Sequence, residues 1–125
     1  MAEEKKKRSS SYSRTKGHRY EVKICNEIKE LGYTNAITSR SESKRMDNNK
    51  IDIFDPSNEL GCNIQVKITQ NTPSYHSIAD ACPVKDKPLV LIWNRQILKE
   101  GNTNITSVGE VVMLPKAYFY ELIKR

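Results

Sequence analysis

Two short stretches, Lys50–Phe54 (KIDIF) and Cys62–Ile68 (CNIQVKI), decide the fold of this chain. In each of them apolar side chains alternate with polar ones, which is the two-residue period of a half-buried β-strand. The segment between them includes Asp55–Asn58 (DPSN), which has the composition of a turn. Together they predict an antiparallel hairpin with one apolar face and one polar face.

The apolar pattern predicts further elements on both sides of this hairpin. Apolar residues recur every three or four positions from Tyr20 to Leu31, and Gly32 follows, which is typical of an amphipathic helix and its end. The predicted elements are a helix over Lys16–Leu31, a strand over Ala36–Thr38, a helix over Ser74–Ala81 capped by Thr72, strands over Pro88–Trp93 and Glu110–Leu114, and a helix over Lys116–Lys124 with Tyr118, Phe119 and Leu122 facing inward. Asn94–Gly109 is polar and predicts a loop. The order α-β-β-β-α-β-β-α indicates an α/β fold with a central sheet of about five strands flanked by helices.

Positive charge is concentrated at the N-terminus. The chain has 125 residues, enough for one domain, and a formal net charge of +6. Residues 1–20 carry a net charge of +5, so the remainder is almost neutral. We predict a disordered basic arm over residues 1–14 and a single domain over residues 15–125. Such an arm favours contact with nucleic acid, because neutralised phosphates release counterions; the alternative is a solvated tail without a partner.

The cysteines and the N-terminal residues indicate the cellular compartment of the protein. Three cysteines, an odd number without CxxC spacing, argue against a disulfide framework and for a reducing environment. The N-terminal charges are followed by no apolar segment, and no apolar run is long enough to span a bilayer. The expectation is a cytoplasmic protein that does not partner a membrane.

The polar face of the predicted hairpin carries the chemistry. Asp52 lies on its first strand, and Gln65 and Lys67 lie two residues apart on its second. The Asp52 carboxylate, the Gln65 side-chain carbonyl and the Val66 backbone carbonyl could together bind a divalent cation. Lys67 could then orient a water molecule or stabilise charge developing on a phosphate. The alternative is a solvent-facing hairpin on which Asp52 and Lys67 form an ordinary cross-strand pair.

Three features follow one another along the chain: an acidic residue in the first helix, an aspartate in a strand, and a polar residue–x–Lys in the next strand. Together with a fourth stretch, RSES, they lie in the motifs KGHRYE (Lys16–Glu21), RSES (Arg40–Ser43), KIDIF (Lys50–Phe54) and IQVK (Ile64–Lys67). In their order and spacing they resemble the PD-(D/E)XK nuclease superfamily, and within it the archaeal-type Holliday junction resolvases and their phage relatives. The resemblance covers residues 14–125 and implies a restriction-endonuclease-like core with a mixed sheet.

The resemblance also implies roles for individual residues. Glu21 matches the helical metal-linked glutamate, Asp52 the metal-binding aspartate and Lys67 the active-site lysine. Gln65 stands where the family has an acidic residue, so we expect the site to hold Mg²⁺ or Mn²⁺ more weakly and to favour one metal over two. The residues expected to contact DNA are Arg14, Lys16, His18, Arg19, Arg40, Ser41 and Ser43.

The expected function is that of a metal-dependent endonuclease resolving four-way DNA junctions in the cytoplasm of a prokaryotic cell or a phage-infected host. Two symmetric incisions call for two sites, so we expect a homodimer. Pro88–Trp93 and the C-terminal helix are the expected interface. The alternatives are a nuclease acting on ends, flaps, mismatches or specific sites, a catalytically inactive DNA-binding module, and a basic RNA-binding protein.

Overall fold

A computed structural model describes residues 10–39, 50–98 and 105–125, with the backbone alone for residues 10–13. Its elements in chain order are α1 (Ser10–Glu30), β1 (Ile37–Thr38), β2 (Ile53–Phe54), β3 (Asn63–Thr69), α2 (Tyr75–Ala81), β4 (Leu89–Leu98), β5 (Ile105–Met113) and α3 (Lys116–Ile123). This is the order that the sequence predicts. None of the helices in the described part has the length and apolar character needed to cross a membrane.

The five strands form one mixed sheet and lie in it in chain order, from β1 to β5. β1, β2 and β3 are antiparallel, β3 and β4 are parallel, and β4 and β5 are antiparallel. The predicted α/β fold, with a central mixed sheet flanked by helices, is therefore confirmed. β3 lies at the centre of the sheet, so β2 and β4 pair with its backbone on its two edges.

Apolar clusters pack on the sheet around α1 and around α2. In the larger one, Tyr20, Ile24 and Ile28 of α1 are buried together with Ile64 and Val66 of β3. The predicted helical stripe is thus confirmed up to Ile28. Its last member, Leu31, is 78% exposed, because α1 ends at Glu30 and the chain then turns at Gly32, where φ is +115°.

The predicted starts of two helices, α1 and α2, need correction. α1 begins at Ser10, so residues 10–14, which we assigned to the disordered arm, are helical; residues 1–9 lie outside the described part. Adding polar residues to an existing helix costs little, and such residues leave no apolar period in the sequence. At α2 the N-cap is Ser74 rather than the predicted Thr72, and its side chain makes no capping hydrogen bond.

The predicted loop over Asn94–Gly109 is wrong where the structure describes it. β4 continues to Leu98 and β5 begins at Ile105; residues 99–104 lie outside the described part. Hydrogen bonds between the two strands pair the backbone N–H and C=O groups of these residues, so the strands can form here without an alternating apolar pattern. The pairing shifts between Arg95 and Gln96, whose partners are Gly109 and Ser107, so that one residue of β5 is extra, as in a β-bulge.

The predicted dimer interface also changes. Leu91, in the centre of Pro88–Trp93, has no exposed surface, and Leu89, Val90 and Trp93 are buried as well. This segment belongs to the core and cannot supply an interface. On α3, Tyr118 packs against the larger cluster, whereas Phe119 and Leu122 are exposed, contrary to the prediction that they face inward.

Candidate active site

Asp52 lies where the pairing between β2 and β3 becomes irregular. Ile53 is the register partner of Ile64, and the Asp52 N–H donates to the Ile64 carbonyl at 2.8 Å. Two consecutive residues therefore face one residue of β3, which is the arrangement of a β-bulge. The irregularity also sends Ile51 into the α2 cluster while Ile53 stays in the α1 cluster, although a regular strand would place both on one face. A bulge of this kind re-aims the side chain that it carries.

The Asp52 carboxylate meets groups from β3 and from α1. Its Oδ2 accepts a hydrogen bond from the Val66 N–H at 2.9 Å, and the Glu21 carboxyl lies within hydrogen-bonding reach. Burial raises the pKa of Asp52 to about 7, and the Glu21 carboxyl adds to this rise, whereas the Val66 N–H and the Lys67 ammonium oppose it. Two carboxyl groups held this close favour a proton or a cation between them.

Glu21 is placed by the packing of α1. The helix buries Tyr20 and Ile24 against the sheet, and Glu21, between them, is only 4% exposed. His18 lies one turn earlier on the same face, with its Nδ1 3.5 Å from Glu21 Oε2. The packing of the apolar face of α1 thus places the Glu21 carboxyl beside Asp52. It also places His18, which is predicted to contact DNA, beside Glu21.

Gln65 is buried although it is polar. It is 5% exposed, and its Oε1 has no hydrogen-bond partner among the described residues. Leaving such an acceptor unpaired costs about 1–3 kcal/mol. Gln65 therefore does not face solvent, as the alternative of a solvent-facing hairpin requires.

The backbone of β3 on either side of Gln65 is directed at Asp52. Ile64 accepts from the Asp52 N–H and Val66 donates to the Asp52 carboxylate. In a strand, the N–H and C=O of one residue point to the same neighbouring strand. The Val66 carbonyl, a predicted metal ligand, is therefore directed to the side of the sheet on which Asp52 lies.

Lys67 completes the group. It is partly buried, and alternation along β3 places it on the face that carries Gln65. It lines a cavity of about 870 Å³ at the carboxyl end of β3, together with Val66. Its ammonium lowers the pKa of the Asp52 carboxyl, although less than burial raises it.

The oxygen atoms of these residues are the ligand type that could hold a hard divalent cation. The Glu21 and Asp52 carboxylates, the Gln65 amide oxygen and the Val66 carbonyl are all oxygen atoms, which Mg²⁺ and Mn²⁺ prefer. Among the described residues no three or more His, Cys, Asp or Glu side chains cluster in a way that could hold a metal. Neutral oxygens would therefore have to supply half of the set. Gln65 Oε1 is a buried oxygen of this kind, and it has no hydrogen-bond partner in the part of the chain that the structure describes.

The predicted DNA contacts fall into three groups. Arg14 and Arg19 lie exposed on α1. Lys16 lies in the cavity that Lys67 lines, and His18 lies beside Glu21. The remaining three are outside the described residues: Arg40, Ser41 and Ser43.

Sequence reasoning missed two residues near this site. The Ser39 N–H donates to the Asp52 carbonyl at 2.8 Å, and Ser39 is buried. It directly precedes the RSES motif, which was the available signal. Gln96 is buried at the cavity and accepts a hydrogen bond from Lys16, but it falls in the predicted loop, where no signal marks it.

Comparisons of the chain with models of known families, with curated proteins and with solved structures find no match in any of the three. The resemblance to the nuclease superfamily therefore stays a prediction.

Proposed function

We propose that this chain is a metal-dependent, structure-specific DNA endonuclease that resolves four-way junctions by phosphodiester hydrolysis. The observation that carries the proposal is the contact between the Glu21 and Asp52 carboxyls, one of which also feels the charge of Lys67. Burying two acidic groups together destabilises a fold unless a proton or a metal ion neutralises them. Asp52 lies at a bulge, and Val66, which donates to its carboxylate, lines a cavity; this favours a catalytic rather than a packing role for the pair.

Glu21, Asp52, Gln65 and Val66 would hold the metal, Mg²⁺ or Mn²⁺. When bound, it would polarise the scissile phosphate and lower the pKa of a coordinated water. Lys67 orients the attacking water and stabilises the negative charge that develops on the phosphate oxygens. One P–O bond forms to the water oxygen, one P–O bond to the leaving oxygen breaks, and the water proton ends on solvent or on the leaving group.

The basic residues of the N-terminal region serve to hold the DNA. Arg14 and Arg19 are exposed on α1, the helix that carries Glu21, so phosphates bound there would lie along the approach to the site. The residues 1–9 add four basic side chains ahead of the helix. The choice of a four-way junction as substrate rests on the resemblance of the motifs.

We further propose that the active form is a homodimer in a reducing compartment such as the cytoplasm. Two-fold symmetry would place two sites on one junction. Apolar side chains exposed on β5 and α3, such as Val112 and Leu122, are the surface available for pairing. All three cysteines are buried and free, which suits a reducing environment.

A substrate panel tests this function. The full chain is incubated with a four-way junction, a flap, a mismatched duplex and a linear duplex, with Mg²⁺ and with EDTA. We expect paired, symmetric cuts in the junction with Mg²⁺ and none with EDTA. Cleavage of all substrates at equal rates would favour a nuclease of another specificity. Binding of DNA without Mn²⁺ uptake in titration calorimetry would favour the inactive DNA-binding module, and preference for RNA would favour the RNA-binding alternative.

A further inference from the structure

The cavity at the carboxyl end of β3 has a second wall that the proposed hydrolysis does not use. Lys67 and Val66 line one side of it, and Lys16 and Gln96 line another. Its volume, about 870 Å³, lies within the range of about 300–1,000 Å³ typical of pockets that take a small organic ligand. It therefore has room for one nucleotide unit next to Lys67.

Lys16 is held at this wall by a neutral group. Its Nζ donates to Gln96 Oε1 at 2.7 Å, and no carboxylate among the described residues pairs with it. A lysine bound to an amide is fixed in position but keeps its full positive charge for a ligand. An acidic partner would fix it equally well and cancel that charge.

Gln96 is itself built into place. It is only 6% exposed, its Nε2 donates to Asn94 Oδ1 at 3.3 Å, and the Ser107 hydroxyl donates to the same Asn94 oxygen. The bulge between β4 and β5 falls at this residue, next to Gly109, whose φ of +146° is a conformation that glycine adopts readily. With its N–H group engaged by Asn94, the Gln96 carbonyl oxygen is left to face Lys16.

We infer that this cavity is a subsite for a phosphodiester of the bound DNA strand, one step away from the phosphate at Lys67. Lys16 is the cation that binds the phosphate, and Gln96 is the positioning residue that holds Lys16 there. The inference rests on the proposed function and deepens it, because it fixes the path of the strand: from the Glu21–Asp52 pair, past Lys67, to the mouth between α1 and β4.

The test measures binding of a fluorescent four-way junction in EDTA over a range of salt concentrations. The variants are Lys16→Gln, which can still donate to Gln96, and Gln96→Glu, which would keep an acceptor for Lys16 but neutralise it. Lys23→Gln is the matched control, since it removes the same charge from the same helix at an exposed position. Circular dichroism verifies that each variant is folded.

We expect Lys16→Gln and Gln96→Glu each to weaken binding several-fold and to lower the slope of log K against log salt by about one, because one phosphate contact is lost. A purely structural role of Gln96 would lower stability without changing the slope. Lys23→Gln should leave the slope as it is.

Equal effects of Lys16→Gln and Lys23→Gln would overturn the subsite. If Gln96→Glu does not fold, the comparison of junction binding between Lys16→Gln and Lys23→Gln is enough to test the subsite. The same preparations are assayed for junction cleavage with Mg²⁺. Wild-type cleavage with an unchanged Lys16→Gln slope would refute the subsite alone, whereas a wild-type chain that neither binds nor cuts the junction would refute both proposals.

Discussion

β3 buries polar side chains, whereas the C-terminal unit formed by β5 and α3 exposes apolar ones. On β3, Gln65 is 5% exposed; on α3, Leu122 is 60% exposed. A buried polar group and an exposed apolar patch are the two departures from ordinary burial that carry information about function. The two regions therefore differ in what they present: the centre of the sheet holds a buried amide oxygen without a hydrogen-bond partner among the described residues, and the C-terminal unit holds exposed apolar side chains.

The largest expected effect concerns the β3 side of this comparison. Lys67→Met should lower the rate of junction cleavage by about 10²–10⁴-fold, because the group that orients the water and stabilises charge is lost. Binding of the junction should weaken only several-fold, as expected when one phosphate contact is lost. Single-turnover cleavage and anisotropy measure the two quantities, with Lys23→Met, an exposed lysine on α1, as the control. Full cleavage by Lys67→Met would remove Lys67 from the site.

The second prediction concerns the C-terminal unit. Leu122→Glu should weaken dimerisation by roughly 30-fold or more, as expected for a side chain at the centre of an interface, while the protomer stays folded. Sedimentation velocity measures the association. Leu31→Glu is the matched control, because Leu31 is also exposed but lies outside the C-terminal unit, directly after α1. A wild-type chain that is monomeric, or two variants that behave alike, would exclude α3 as the interface.

The third prediction uses the pKa of Asp52, about 7 in the fold against 3.8 for an isolated aspartate. The folded state binds an extra proton between these values, so the free energy of unfolding falls as the pH rises from about 4 to 8. Asp52→Asn does not titrate and keeps an acceptor for the Val66 N–H. It should match the wild type near pH 4 and exceed it by about 1–3 kcal/mol at pH 8 in urea unfolding with EDTA. A difference that does not vary with pH would mean that Asp52 is not protonated in the fold.

The smallest expected effect sharpens the reading of Gln65. Gln65→Glu adds a charged oxygen where the neutral one stands, and should tighten Mn²⁺ binding by about tenfold. Gln65→Met removes the oxygen and should weaken binding. Titration calorimetry compares both with the wild type. Equal affinities for all three proteins would place Gln65 outside the metal site.

The sequence by itself determined the fold class and most of its elements. Cys62–Ile68 and the helix from Tyr20 to Ile28 each bury one face. Burial of one face makes apolar residues recur at a regular spacing, which can be seen in the sequence. The same patterns selected Asp52, Gln65 and Lys67, because a polar residue in an apolar strand is visible without coordinates. The extent of β4 and β5 was not visible, since strands that satisfy each other's backbone need no apolar period.

Only the tertiary structure decided which of these polar residues meet. Glu21 and Asp52 are 31 positions apart in the chain, and their contact depends on how α1 packs over the bulge at Asp52. Lys16 and Gln96 lie 80 positions apart and meet only because β4 continues beyond the predicted strand. A sequence records the chemistry of each residue and the spacing of apolar residues along each element. The distance between two side chains, by contrast, depends on how whole elements pack together.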